Sequence, residues 1–311
     1  MNGYVALRET AAWIDLSDRG KIRVTGEDRA RLLHAMTTQH IQELPPDTGR
    51  YAFFLSDKGR ILADAFVYNL GNALFLDTEP ETRSKVFDHL DRFIIADDVT
   101  LEDESETLAE IGLEGPHSLE MAGQLGVPVG QEKLAICKKP GGFTVRVAAS
   151  GGEGIRIFMP KDEREGLVNR LRGAGAEQAT PEEVRIVRLE NGVPRYGEEI
   201  TERYLVQETQ VQHAVHPNKG CYLGQEIVER VRARGQVHRL LTPIRIASET
   251  PPAAGTKLAA SGGDVGEISS AVYSPAEGQV VGLAYIRTEA AHSKPEMSVA
   301  GSDPAVAATI R

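Results

Sequence analysis

The sequence predicts an α+β protein: a duplicated unit over roughly the first 190 residues, then a small antiparallel β-barrel after about residue 240. Three observations carry this. The order strand, helix, strands, helix occurs twice, with VTGED at 24–28 and LEGPH at 113–117 in the same place in the two copies. Short β-like runs parted by Pro and Gly then replace the helical patterns. A length of 311 residues, 41% hydrophobic and 26% charged, suits a soluble globular chain with a sizeable core.

In the first copy GKIRVTG alternates Ile22 and Val24 as a strand does, and EDRARLLHAMTTQ places Ala30, Leu33 and Met36 on one helical face. YAFFL, a turn at SDKG, RILADAFVYNL, a Gly71-Asn72 turn and ALFLD read as a strand meander. A helix is predicted from Thr78, with Thr78 and Glu81 at capping-box spacing and Val86, Leu90, Phe93 and Ile94 as its apolar stripe. The acidic run DDVTLEDESE at 97–106 reads as a solvated connector. The second copy opens with LAEIGLEG as a strand and PHSLEMAGQL as a helix whose first turn suits Pro116. FTVRVAASGGEGIRIFM is a hairpin turning at Ser150–Gly154, and the helix after Lys161 carries Leu167, Val168 and Leu171. In TPEEVRIVRLENG, Thr180 caps, Pro181 takes the first helical position, Glu183 completes the box and Gly192 stops the helix. LLTPIRI, GTKLAA, VGEISSAVY and QVVGLAYI have the spacing of barrel strands, and the tail after His292 has room for one more. The chain thus divides into a 1–238 region of two related, interleaved subdomains and a 239–311 barrel.

Composition excludes several classes. Arg8, Glu9 and Asp15 interrupt the N-terminus where a signal peptide needs an apolar core, and no run approaches ~18 apolar residues, so no membrane partner is expected. Cys137 and Cys221, the two cysteines, lie too far apart to suggest a disulfide framework, and a reducing cytoplasm fits. A net charge of −10 argues against a general nucleic-acid binder, and no direct nucleic-acid partner is expected.

Two stretches carry chemistry. KGCYLGQE at 219–226 sets Cys221 just before a short helix candidate, GQEIVERVRARG, in which Ile227, Val228 and Val231 face inward and Glu226 pairs with Arg230. A helix N-terminus and Lys219 both favour thiolate, and Gly220 and Gly224 bracket the Cys-Tyr pair. A buried cysteine acting as a small hydrophobe is the competing reading. Arg230, Arg232, Arg234 and Arg239 form a cationic stripe suited to an anionic ligand or an acidic partner, or else a solvated helix face. His213 and His216 ahead of Cys221 lack a fourth ligand at usual spacing, so no metal is predicted. In the meander, Asp64 is the one charged residue between Ile61 and Leu76, with apolar neighbours on both strand faces. A carboxylate there needs a partner or a ligand, unless a bulge or edge lets it reach solvent. No GxGxxG, P-loop or G-x-S-x-G motif stands in its required context.

KGCYLGQE resembles, at every fixed position, the K-G-C-F/Y-x-G-Q-E signature of the YgfZ family, relatives of the glycine-cleavage T-protein (aminomethyltransferase). DRGKIRVTGED resembles that superfamily's opening strand and helix, GRILADAFVY its central hairpin, RLENGVPRYG its R-x-E-x-G-x-x-x-Y-G stretch, and GDVGEISSAVYSP the G-x-V-T-S segment of its barrel. The resemblance implies a folate-binding fold of three subdomains around a central channel, with tetrahydrofolate or a one-carbon or polyglutamyl derivative as ligand. Asp64 matches the aspartate that approaches the folate nitrogens, and Arg188 the arginine near the folate glutamyl end. Cys221 becomes the working thiol, with Lys219, Tyr222, Gln225, Glu226 and Arg230 as candidate binding residues around it. One position departs: where T-proteins carry Glu in G-E-D-G-F/Y-E-I, GGEGIRI places Arg156.

Three readings stay open. The first is a folate-dependent factor that assists maturation or repair of iron–sulfur proteins through Cys221, with those proteins or their assembly machinery as partners. The second is aminomethyltransferase-like one-carbon transfer to tetrahydrofolate. The third is a non-catalytic folate-binding regulator affecting tRNA modification.

Overall fold

Apolar alternation builds two sheets, and each buries one face under its own helices. The structure, a computed structural model, describes residues 2–235, 237–302 and 305–311, the side chain of Arg234 also lying outside the described set. The chain opens with α1 (Asn2–Glu9), β1 (Ala12–Asp15), β2 (Gly20–Thr25), α2 (Arg29–Met36), β3 (Thr48–Leu55), β4 (Ile61–Asn69), β5 (Leu74–Thr78), α3 (Arg83–Asp91) and β6 (Thr100–Asp103). It continues with β7 (Leu108–Glu114), α4 (Ser118–Gln124), β8 (Ile136–Lys139), β9 (Gly142–Val145), β10 (Gly154–Pro160), α5 (Arg164–Gly173), β11 (Glu177–Gln178), α6 (Pro181–Glu190) and α7 (Gln225–Arg234). The last part holds β12 (Arg239–Ile246), β13 (Lys257–Ala260), β14 (Gly263–Ser274), β15 (Gln279–Arg287), α8 (Thr288–Ser293), β16 (Met297–Val299) and β17 (Ala307–Ile310).

The first sheet runs β3-β4-β5-β2-β6 and the second β11-β1-β7-β10-β9-β8. The duplication is visible in the pairing register: Lys21 opposes Asp77 and Arg23 opposes Phe75 in one copy, as Glu110 opposes Phe158 and Gly112 opposes Arg156 in the other. β1 precedes the first copy yet pairs with β7, so the two units are interleaved. Strands β12 to β17 close into an antiparallel barrel around Ile244, Ile246, Leu258, Ile268 and Ile286.

Period-2 alternation decides what each face of the meander touches. Ala52, Phe54, Ala63, Ala65 and Val67 pack with Leu33, Val86 and Leu90 in the first core, while Tyr51, Phe53, Asp64, Phe66 and Tyr68 take the opposite face. Burying the larger of these side chains stabilises the fold by roughly 1.5–3 kcal/mol each.

Several expectations shift. Thr78 ends β5 instead of capping a helix: a short 3-10 turn at Pro80–Thr82 intervenes and α3 starts at Arg83 without a side-chain cap. Of the expected stripe, Val86 and Leu90 are buried, but Phe93 and Ile94 lie beyond the end of α3. The acidic run contains β6, an edge strand on β2, because backbone pairing at an edge needs no apolar side chains. The second hairpin gains a third strand, β8, and the tail supplies two barrel strands where one was expected. The capping box at Thr180 and Glu183 forms as read.

Candidate functional site

Asp64 stands in β4, a strand paired on both sides, and is 4% exposed. A register shift opposite Phe54 and Leu55 leaves Leu62 as an extra residue two positions before it, the kind of bulge that re-aims a strand. Tyr51 on β3 donates its hydroxyl to Asp64 Oδ2 at 2.5 Å; Oδ1 has no hydrogen-bond partner among the described residues. Burial, then the charge of Glu79, push the Asp64 carboxyl up to about 7 against the opposing Tyr51 bond. A carboxyl in that range exists in both protonation states near neutrality.

Asp64 lines a cavity of about 1020 Å³, a size suited to a drug-sized ligand. Tyr51 and Phe66 supply aromatic wall, Arg19, Glu79 and Arg156 charge, and Leu241, Pro243 and Leu283 bring the barrel to it. Behind part of the wall an ionic network joins the two copies. Arg19 donates to Asp77 at 2.6 Å and to Glu79 at 2.6 Å; Arg156 bonds Asp77, lies 3.6 Å from Glu110 and sits 4.6 Å over the Phe66 ring. Burial opposes ionisation of Asp77, yet Arg19 and then Arg156 hold its carboxyl below the usual range. Burial, then Asp77, push Glu110 up to about 8, and neither of its oxygens has a hydrogen-bond partner among the described residues. Arg156 therefore occupies its cavity position as a compensated cation. Tyr51, Glu79, Asp77 and Glu110 were not singled out from sequence. Asp77, the one carboxylate in ALFLD, meets the criterion that found Asp64, whereas Glu110 shares LAEIGLEG with Glu114.

Arg188 also lines the cavity, but its guanidinium is committed. It donates to the Val193 carbonyl at 2.5 Å, to both Glu199 oxygens at 2.9 and 3.1 Å, and to Glu198, so it fixes the 193–199 loop at the cavity wall. Four of its five donors are thereby used.

The KGCYLGQE loop lies elsewhere. None of Lys219, Cys221, Tyr222, Gln225, Glu226 and Arg230 is among the residues lining the cavity, and Cys221 is exposed instead of buried as a small hydrophobe. Lys219 turns inward, donating to the carbonyls of His34 at 2.5 Å, Thr37 at 2.6 Å and Gln39 at 2.8 Å, around the C-terminal end of α2. Burial pushes its amine down to about 7, but three acceptors around one nitrogen match an ammonium, since a neutral amine has two hydrogens to share. Its donors are thus spent on main chain, and the expectation that it serves the thiol does not follow from its placement. Tyr222 is buried with Phe53, Leu55 and Ile61. Gln225 Oε1 accepts from the Tyr222 N–H at 3.3 Å, which ties the turn before α7. Gly224 has φ 82°, and a Cβ there would sit 2.6 Å from the Ser56 carbonyl oxygen, so glycine is required; Gly220 shows neither constraint.

On α7 the described side chains of the stripe, Arg230 and Arg232, are paired locally. Arg230 bonds Glu226 at 2.6 Å and Arg232 lies 3.4 Å from Glu229, while Arg239 bonds Glu208 at 2.8 Å from the start of β12. His213 lines the cavity with its ring 5.7 Å from Tyr51, and His216 belongs to a row of rings with His40 at 5.3 Å and His34 beyond it at 4.5 Å. Among the described residues no group of three or more His, Cys, Asp or Glu is arranged to hold a metal ion, and no helix is long and apolar enough to cross a membrane.

Two family profiles match the chain: the GCVT N-terminal domain over residues 2–219 and the glycine cleavage T-protein C-terminal barrel domain over residues 239–311. An aminomethyltransferase of Rubrobacter xylanophilus is 28% identical over 294 residues, covering 92% of this chain and 78% of that protein. A putative chloroplastic transferase of Arabidopsis thaliana is 27% identical over 287 residues, covering 89% of this chain and 66% of that protein. The crystal structure of glycine cleavage system aminomethyltransferase T from Bartonella henselae superposes with a TM-score of 0.91 at 19% identity, over 100% of this chain and 87% of that one, which shows a shared fold.

Proposed function

From the premise that this chain belongs to the glycine-cleavage T-protein family, we propose that it binds tetrahydrofolate in the central cavity and supports iron–sulfur protein maturation or repair through Cys221. The observation that carries the folate reading is Asp64: a buried carboxyl at the cavity wall, held at one oxygen by Tyr51 and, among the described residues, without a partner at the other. Tetrahydrofolate supplies ring and bridge amines that carry or accept a one-carbon unit. Against such an amine Asp64 is suited to hold a hydrogen bond or move a proton, because its carboxyl sits near 7 and Tyr51 fixes its orientation. Tyr51 and Phe66 offer ring faces for stacking, and Arg188 holds the loop that closes the side of the cavity. The thiol reading rests on the KGCYLGQE resemblance and on the exposure of Cys221, which leaves the sulfur open to a macromolecular partner.

Aminomethyl transfer to tetrahydrofolate is the second reading, favoured by the aminomethyltransferases among the similar proteins. Arg156 weighs against it, since a guanidinium cannot accept hydrogen bonds from a pterin amino group as a glutamate would. Calorimetry with tetrahydrofolate tests the cavity: wild type binds and Asp64→Ala binds more weakly, while no binding to wild type overturns the folate reading. Iron–sulfur enzyme activities in cells carrying Cys221→Ser separate the two chemistries. Normal activities in those cells, together with methylene-tetrahydrofolate formation by the purified protein, would replace the first reading with the second.

A further inference from the structure

The cavity and the exposed thiol are separate in space but share one continuous piece of bonded structure. Tyr51, Phe53 and Leu55 point to the same face of β3: Tyr51 lines the cavity, while Phe53 and Leu55 lie in the cluster that buries Tyr222, next to Cys221. The segment from Val211 to Leu223 begins at the cavity, where Val211 and His213 line it, and ends past the thiol. Along this whole length it is stitched to residues 34–39. Gln39 Nε2 donates to the His213 carbonyl at 2.6 Å, Thr38 Oγ1 to the Ala214 carbonyl at 2.5 Å, and the His216 N–H to the Thr38 carbonyl at 2.9 Å. Lys219 Nζ then bonds the carbonyls of His34, Thr37 and Gln39, and the Leu223 N–H donates to the Ala35 carbonyl at 3.0 Å. Gln39 is thus bonded through its side chain to His213 and through its carbonyl to Lys219. Gln39 thereby links His213 to the Lys219 anchor, which stands two residues before the sulfur.

We propose that the occupant of the cavity sets the reactivity of Cys221: a ligand packed against Tyr51 and His213 clamps the 211–223 segment and slows modification of the thiol, and an empty cavity frees it. This coupling rests on the folate reading only for the identity of the natural occupant; the bonded path exists whatever fills the cavity. Coupling between sites of this kind amounts to roughly 5- to 150-fold, and its warrant is a measured effect of one site on the other.

The experiment follows iodoacetamide alkylation of both cysteines by mass spectrometry in the full chain. Cys137, on β8 and half-buried, is the internal reference for general loosening. Without ligand, Thr38→Val and Gln39→Ala, which remove the side-chain donors to the Ala214 and His213 carbonyls, are expected to speed Cys221 alkylation at least about fivefold with Cys137 unchanged. Saturating 5-formyltetrahydrofolate is expected to slow Cys221 in wild type by a similar factor, and to lose that effect in Gln39→Ala. Unchanged Cys221 rates in both variants, or equal acceleration of both cysteines, overturns the coupling. So does a calorimetrically bound ligand that leaves the wild-type Cys221 rate unmoved. If the probe fails to bind, the folate reading falls, and the two variants by themselves still decide the coupling.

Discussion

Asp64 and Cys221 are presented by different means. Asp64 stands on a doubly paired strand, 4% exposed, with its carboxyl fixed by a neighbouring strand's tyrosine and its environment set by an ionic network reaching from Arg19 to Arg156. Cys221 stands exposed on a loop whose shape comes from a lysine buried in main-chain carbonyls, one obligatory glycine and a glutamine folded back on its own turn. The first arrangement suits a small ligand, because a concave, preorganised wall gives polar groups fixed positions. The second suits a surface that another molecule approaches. Groups adjacent in sequence need not act on one another: Lys219 spends its donors on main-chain carbonyls at and just beyond the end of α2, not on the thiol two residues away.

The largest effect that tests this contrast is at Lys219. Lys219→Met leaves three carbonyls without their donor and should cost roughly 2–4 kcal/mol of stability, read as a lower melting temperature. Its folate affinity should stay within about threefold of wild type, a small fraction of the change expected for losing a direct charged contact. A melting temperature equal to wild type would mean that the loop is held by something else.

Next in size, Asp64→Ala should weaken tetrahydrofolate binding by about ten- to a hundredfold, as expected for a hydrogen bond to a charged group. Its melting temperature should hold or rise, because the variant removes a carboxyl whose ionisation burial opposes. Unchanged affinity by calorimetry would take Asp64 out of the site.

A smaller effect comes from pH. The folded Asp64 carboxyl lies at about 7, above its ordinary value of 3.8, so the folded state binds more protons than the unfolded one between those limits. Stability from this group is therefore present below pH 4 and lost as pH rises through 7. Asp64→Asn should match wild type in melting temperature at pH 4 and exceed it by a few degrees at pH 8. Parallel curves across that range would contradict a raised carboxyl.

The smallest effect is expected on α7. Arg230→Ala and Arg232→Ala remove exposed, locally paired charges and should each change stability by under about 0.5 kcal/mol. Folate affinity should be flat between low and physiological salt if these arginines lie away from the ligand, whereas a steep salt dependence would restore the cationic-stripe reading.

Much of the architecture was legible because its signals are local. Alternation in YAFFL and RILADAFVYNL, the capping box at Thr180 and the repeated strand-helix order each depend on residues within a few positions. Asp64 was legible for the same reason: a single carboxylate among apolar neighbours is costly wherever the strand lies. The misses have physical causes too. β6 was hidden because an edge strand on β2 can be charged, and Thr78 misled because a capping-box spacing says nothing about whether a strand still occupies its first residue.

By itself, then, the sequence determined the α+β character, the duplication, the closing barrel, the glycine before α7 and the chemical identity of the two candidate groups. Tertiary structure alone decided which groups meet. Asp77, Glu110, Arg19 and Arg156 come from four separate stretches and converge only when β2, β5, β7 and β10 bring the two copies together. The ammonium of Lys219 could have faced its neighbour in sequence or the interior. It faces the interior because three carbonyls at and just beyond the end of α2 take its hydrogens, and satisfying buried main-chain acceptors outweighs a contact with an exposed thiol.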